Sequence, residues 1–154
     1  MQKAYYKKGF LNLEIYASKS GINEIKFVNS YEKTKFKDEN LELCLHELDE
    51  YFNGNLKKFS AKLNLSGTEF EKKVYNALLN IPYAKTKTYK DIAKIIDQPK
   101  AYRAVGNANA KNKIPILIPC HRVVSVNSLG GYNGGLEIKK YLLNLESKFA
   151  KFKP

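Results

Sequence analysis

Cys120 and His121 are adjacent at the end of the run Ile114-Pro-Ile-Leu-Ile-Pro119, and Arg122 follows them. A thiol is a strong nucleophile only as its thiolate, and a nearby imidazole is the usual way of making one near neutral pH. Pro115 and Pro119 lack a backbone N–H and bias the preceding residues toward extended geometry, so the run cannot be helix. The expectation is that Cys120 ends a short, buried, extended segment. Side chains at i and i+1 do not face each other on a helix and point oppositely on a strand. Thiol and imidazole would therefore meet through a tight turn or a bridging water. A third group should orient the imidazole. Glu146 is the candidate, because Glu137 and Glu146 are the only acidic residues after position 97. The competing reading is a structural cysteine beside a surface histidine.

Other candidate positions are weaker. Cys44 and His46 suggest a metal pair, but spacing i, i+2 sends them to different helix faces, and the only other Cys or His residues are 120 and 121. Cys44 is read as core. Gly130-Gly-Tyr-Asn-Gly-Gly135 is either a simple turn or a loop whose backbone approaches a ligand.

The elements that would hold these residues follow from periodicity. Residues 1–35 alternate in short runs and read as two or three antiparallel strands, with Gly9 and Gly21 at turns. Residues 38–53 place Leu41, Cys44, Leu45, Leu48 and Phe52 at helical spacing. Phe59 to Leu65 reads as one more strand. A change of pattern at Asn64–Gly67 sets the boundary between a domain at 1–65 and one at 66–154. Thr68-x-x-Glu71 and Thr88-x-x-Asp91 are capping boxes for two helices, and Pro82 stops the first. A third helix is expected from Gln98-Pro99, with Pro99 in its first turn. A last helix at 137–149 carries Ile138, Tyr141, Leu142 and Leu145 on one face. The second and third helices have the spacing of a helix-turn-helix. The fold class is therefore α+β: a small N-terminal domain of antiparallel strands and a helix, then a mostly helical, winged-helix-like domain.

Charge favours an anionic partner. Of 27 basic and 15 acidic residues, 11 and 9 lie in residues 1–65, which leaves 16 and 6 for the rest, a net of +10 on the half with the Cys-His pair. A polyanion fits that half, although a lysine-rich solvated surface would look the same. Only Arg103 and Arg122 among the 27 are arginine, which suggests that these two positions use its planar fork. Arg103 lies on the third helix, which is thin at Ala101, Ala104, Gly106, Ala108 and Ala110. Such a helix can enter a narrow groove or pack closely on another helix. No apolar run is long enough for a membrane span, and two cysteines make no disulfide framework, so a cytoplasmic setting is expected.

Ile118-Pro-Cys-His-Arg-Val-Val, Pro99-Lys-Ala-x-Arg-Ala-Val-Gly, Thr88-Tyr89 and Tyr132-x-Gly-Gly-Leu, in this order, resemble the O6-alkylguanine-DNA alkyltransferase family over about residues 66–148. The resemblance implies irreversible, single-turnover transfer of an alkyl group from O6-alkylguanine in double-stranded DNA to Cys120, with the base flipped out. It implies a methylated-DNA–protein-cysteine methyltransferase that is monomeric and needs neither cofactor nor metal. His121 and Glu146 would activate Cys120 through a water. Tyr89 would help to turn the nucleotide out and protonate the leaving guanine. Arg103 would fill the gap in the stack, on a DNA-facing helix with Ala101, Tyr102, Ala104 and Gly106. Asn112 and Pro115 would brace the active segment, and Val123, Tyr132, Asn133 and Gly134 would line the pocket. Two positions depart from the family pattern: Lys113 where proline is usual, and Asn133 where serine or threonine is common. The alternatives are a non-catalytic protein that senses alkylguanine in DNA, against which Cys120 argues, and a Cys-His-Glu hydrolase.

Overall fold

A computed structural model describes residues 1–151. The chain divides into two compact units, Met1–Ser66 and the residues from Gly67 on.

In the first unit, strands β1 (Gln2–Lys8), β2 (Leu11–Ser18) and β3 (Gly21–Val28) form an antiparallel meander. Ala4 pairs with Ile15 and Ile15 with Ile25, so the alternating apolar residues share one face. Helix α1 (Glu39–Phe52) covers that face with Leu41, Cys44, Leu48 and Tyr51, all fully buried. Its N-cap is Asp38, which accepts the Leu41 N–H at 3.0 Å. The pair Cys44 and His46 separates as helical geometry requires: Cys44 is core and His46 is exposed.

The strand expected at Phe59–Leu65 does not form. A single parallel bridge joins Ile22 and Leu63, closed by bonds from Ile22 N to Lys62 O and from Asn64 N to Ile22 O. The reason lies in Glu47, a buried carboxylate on α1. It accepts from the Ser60 and Ala61 N–H groups and from the Ser60 hydroxyl, at 2.8–3.0 Å. Donors that a strand ladder would need are spent on a side chain. Gly21 marks the crossing point of this segment. It has φ 124°, and a Cβ there would lie 2.5 Å from the Lys62 carbonyl oxygen.

The second unit contains α2 (Glu69–Leu79), β4 (Lys87–Thr88), α3 (Tyr89–Ile95), α4 (Tyr102–Ala110), β5 (Val123–Val124) and α5 (Leu136–Ala150). Both capping boxes are present: Thr68 with Glu71 opens α2, and Thr88 with Asp91 opens α3. Helices α3 and α4 form the helix-turn-helix, packed with α2, while β4 and β5 pair in parallel. The third helix begins at Tyr102 rather than Pro99. Gln98 O accepts from Ala101 N at 2.9 Å, so Pro99 is the second residue of a turn, where its fixed φ fits as well as in a first helical turn. Among the described residues, no helix is long and apolar enough to cross a membrane, and no group of three His, Cys, Asp or Glu could hold a metal ion.

Candidate active site

The segment that presents Cys120 is buried from Ile114 to Val123, but it is compressed rather than extended. Leu117 N–H bonds back to Pro115 O at 2.9 Å, which leaves Ile116 at φ 75° in the centre of a three-residue turn. That conformation is strained for a β-branched residue. A second such turn is centred on Pro119 (φ −79°, ψ 63°) and closes Cys120 N–H onto Ile118 O at 2.7 Å. Two prolines do forbid helix here, but the local solution is a pair of tight turns. They deliver Cys120–Arg122 as a single 3-10 turn.

Asparagines near the end of α4 hold this shape. Asn112 donates to Ile118 O at 2.9 Å and accepts from Ile114 N at 3.0 Å. Asn109 donates to the Cys120 carbonyl at 3.4 Å. The helix that carries Arg103 is thereby tied to the backbone of the cysteine segment. Pro115 is buried within the segment, and Lys113 is exposed beside it.

His121 and Glu146 have no solvent exposure, and His121 Nε2 lies 2.7 Å from Glu146 Oε2. An ionised carboxylate only accepts, so Nε2 carries the proton and Nδ1 is the bare nitrogen of the neutral ring. Among the described residues Nδ1 has no hydrogen-bond partner. Burial would raise the Glu146 pKa, but the His121 and Arg122 contacts outweigh it and hold the acid at about 2, below its ordinary 4.5. Burial lowers the His121 pKa, against the pull of Glu146, so the ring is neutral at pH 7. The Cys120 thiol is pushed up to about 11 by burial, against a hydrogen bond from Asn112 and the charge of Lys139. The site thus holds a resting thiol next in sequence to a neutral imidazole whose Nδ1 is unprotonated.

Sequence reasoning missed two members of this site. Arg122 is buried and bonds Glu146 through Nε (2.8 Å) and a terminal nitrogen (3.0 Å), while its other terminal nitrogen reaches Ile81 O at 2.8 Å. Its rarity as arginine was the available signal. Lys139 is fully buried, and its ammonium donates to Val123 O (2.6 Å) and Gly131 O (2.9 Å). Burial lowers its pKa to about 8. The signal lay in α5: Lys139, Leu142 and Glu146 share one face at helical spacing. That face is buried, whereas Ile138 and Tyr141, expected to point inward, are half-buried. Lys139→Met should leave the Val123 and Gly131 carbonyls unpaired and lower stability by about 2–4 kcal/mol, read as a drop in Tm.

The glycine-rich loop closes the same region. Lys139 holds it at Gly131 O, and Gly131 N–H bonds the Tyr89 hydroxyl at 3.3 Å. A Cβ at Gly130 would lie 2.5 Å from that hydroxyl, and its φ of 73° also favours glycine, so any other residue here would be strained and would have to displace Tyr89. Asn133 donates to Ala110 O at the end of α4. The Tyr132 hydroxyl is buried, and Val123 is fully buried. Gly134 is half-buried. Tyr102, Arg103 and Ala104 are exposed on α4, whereas Val105, Ala108 and Asn109 face inward and Ala101 and Gly106 are half-buried. The small residues lie on both faces: Ala108 packs inward, while Ala104 and Ala110 are exposed.

A buried cysteine adjoining a buried His–Glu pair, in the same unit as a helix-turn-helix, is the arrangement expected of a DNA-binding protein that carries its own nucleophile. The model of the 6-O-methylguanine DNA methyltransferase DNA binding domain matches residues 69–148, and that of its ribonuclease-like domain matches residues 1–65. The methylated-DNA–protein-cysteine methyltransferase of Methanosarcina acetivorans is 48% identical over 133 residues, covering 82% of this chain and 85% of its own. The constitutive enzyme of that name from Bacillus subtilis is 50% identical over 109 residues, covering 70% of this chain and 66% of its own. The crystal structure of Mycobacterium tuberculosis OGT in complex with DNA superposes with a TM-score of 0.86 at 35% identity, covering 96% of this chain and 93% of that one. The chain belongs to the 6-O-methylguanine DNA methyltransferase family.

Proposed function

We propose that Cys120 is the acceptor in a DNA repair reaction that moves the alkyl group of O6-alkylguanine onto the protein once and irreversibly. The observation that carries this assignment is the buried His121–Glu146 pair adjoining Cys120. The alkyl carbon is out of reach inside a duplex, so the nucleotide must be turned out of the stack. Cys120 gives its proton to Nδ1 of His121 through a bridging water, and the imidazolium is stabilised by Glu146. The thiolate attacks the alkyl carbon in line: an S–C bond forms, the C–O6 bond breaks, and the electron pair leaves with guanine. Protonation of the base by the Tyr89 hydroxyl, which sits at the glycine loop, lowers the charge on the leaving group. Water does not readily hydrolyse the thioether product, so each molecule acts once. The reading needs no metal and no cofactor.

The remaining assignments follow the same logic. Arg103, exposed on α4, occupies the gap in the stack, with Ala101, Tyr102, Ala104 and Gly106 at the DNA. Asn112 and Pro115 brace the segment, and Val123, Tyr132, Asn133 and Gly134 line the guanine pocket. The partner is double-stranded DNA bearing the lesion. The protein acts as a monomer in the cytoplasm, a setting supported by its two unpaired cysteines.

The test is a titration with a duplex carrying one O6-methylguanine, followed by intact-protein and peptide mass spectrometry. One methyl per molecule on Cys120, with guanine restored and no second turnover, supports the assignment. A methyl elsewhere, or tight binding without a mass change, overturns it. Arg103→Ala should slow repair in duplex by about 10- to 100-fold, a loss of part of the unstacking compensation. Its reaction with free O6-methylguanine base should be nearly unchanged. Equal slowing of both, measured as second-order rate constants, would remove Arg103 from the stack-filling role.

A further inference from the structure

We infer that Arg122 is a positioning residue for the transfer step: by holding both oxygens of Glu146 it confines that carboxylate to anchoring the Nε2–H of His121, so that Nδ1 is a free base at neutral pH. The inference rests on the reading of Cys120 as acceptor.

The geometry leaves Glu146 no spare capacity on the side of the imidazole. Oε1 accepts from Arg122 Nε (2.8 Å) and Ala84 N (3.1 Å), and Oε2 from His121 Nε2 (2.7 Å) and Arg122 (3.0 Å). The guanidinium itself cannot swing away. Ile81 O holds its remaining terminal nitrogen at 2.8 Å, and the Tyr83 ring lies 5.7 Å from its central carbon. Burial of all three groups makes charge balance decisive. A lone buried carboxylate against His121 would favour the imidazolium, and an imidazolium cannot take the thiol proton. Paired with Arg122, the carboxylate presents a hydrogen-bond acceptor with little net charge. The ring keeps its orientation without being protonated in advance.

The other charged and titratable groups around the ring do not replace Arg122. Lys139 from α5 also lowers the His121 pKa, but its bonds go to carbonyls and none goes to Glu146. Cys120 is a neutral thiol at rest. Tyr75 on α2, Tyr83 and Tyr132 all have raised pKa values, through burial first, and are uncharged at pH 7. A lysine at position 122 would supply charge at one point but could not grip two oxygens in a plane.

The experiment is the pH dependence of methyl transfer to Cys120 in the full chain, for wild type, Arg122→Lys and Arg122→Gln. The acid limb, where His121 is protonated, should move to higher pH by about one unit or more in Arg122→Gln. A smaller move and a reduced maximum are expected in Arg122→Lys. A purely structural role would lower the rate evenly and leave the midpoint of the limb in place, which would overturn the inference. Should the variants not fold, nitrogen-15 NMR of the wild-type imidazole decides. A neutral Nε2–H tautomer at pH 6.5 supports the inference, and a protonated ring at that pH overturns it. If wild type places no methyl on Cys120, the acceptor assignment fails. If it does and the limb stays fixed, only the role of Arg122 fails.

Discussion

Cys120→Ser should abolish alkyl transfer, a loss of more than about 10⁴-fold in the second-order rate constant, while DNA affinity stays within about twofold of wild type. Burial holds the resting thiol near pKa 11, so thiolate is scarce at pH 7, and under the proposed mechanism it forms only as His121 accepts the proton. A serine hydroxyl is a far weaker acid in the same surroundings, and the same neutral imidazole cannot produce its alkoxide in useful amount. Affinity should survive because Tyr102, Arg103 and Ala104 are exposed on α4, whereas the thiol is buried. Serine is also close to cysteine in size, so the two tight turns around Pro115 and Pro119 should persist. The measurement pairs a methyl-transfer assay with binding of the same lesion duplex. Retained transfer by Cys120→Ser would move the acceptor to another residue. Lost binding would mean that the substitution had disturbed the segment tied to α4 by Asn109 and Asn112.

The parts of this site that were legible in the sequence are those governed by local rules. Capping boxes depend on residues three apart, and both appear where Thr68 and Thr88 place them. Alternation placed the strands, and helical spacing placed Cys44 in the core. What escaped was set by contacts distant in sequence. The strand at 59–65 has the right composition, yet Glu47, more than a turn of helix and a loop away, takes its donors. Pro99 fits a turn and a first helical position equally, and the Gln98–Ala101 bond settles the matter in favour of the turn. Lys139 reads locally as one more surface cation, and the rarity of Arg122 as an arginine marked a use for its planar fork without naming the partner. Their burial follows from the carboxylate of Glu146 and from the carbonyls of Val123 and Gly131, which the fold brings to them.

Glu146→Ala should be the most damaging substitution to the fold of the second unit, at about 3–5 kcal/mol. It removes the partner of a buried guanidinium and of a buried imidazole at once. Glu146→Gln should cost less, because an amide oxygen still accepts, but its NH₂ group then opposes the N–H donors of Arg122, His121 or Ala84. Transfer by the glutamine variant should fall by roughly 10²- to 10⁴-fold, since neither the orientation of His121 nor its imidazolium is supported. The pH dependence of stability carries an independent signature. The folded-state pKa of Glu146 is depressed from 4.5 to about 2, despite burial that alone would raise it. Its contribution is therefore fully present above about 4.5 and is lost as pH falls toward 2. A depression of that size corresponds to on the order of 3 kcal/mol. His121 acts in the same direction, because burial lowers its pKa and acid favours the unfolded chain in which the ring can charge. Wild type should thus lose Tm on acidification, first as pH falls below the ordinary imidazole value of 6.5, where the unfolded chain gains a proton at His121, and further below pH 4.5. Glu146→Gln should lack the part between 4.5 and 2. Melting curves of the two proteins from pH 7 to pH 3 measure the difference: parallel curves would mean that Glu146 is not held ionised by His121 and Arg122, whereas curves that converge toward pH 3 would show that the carboxylate charge is what binds this site together.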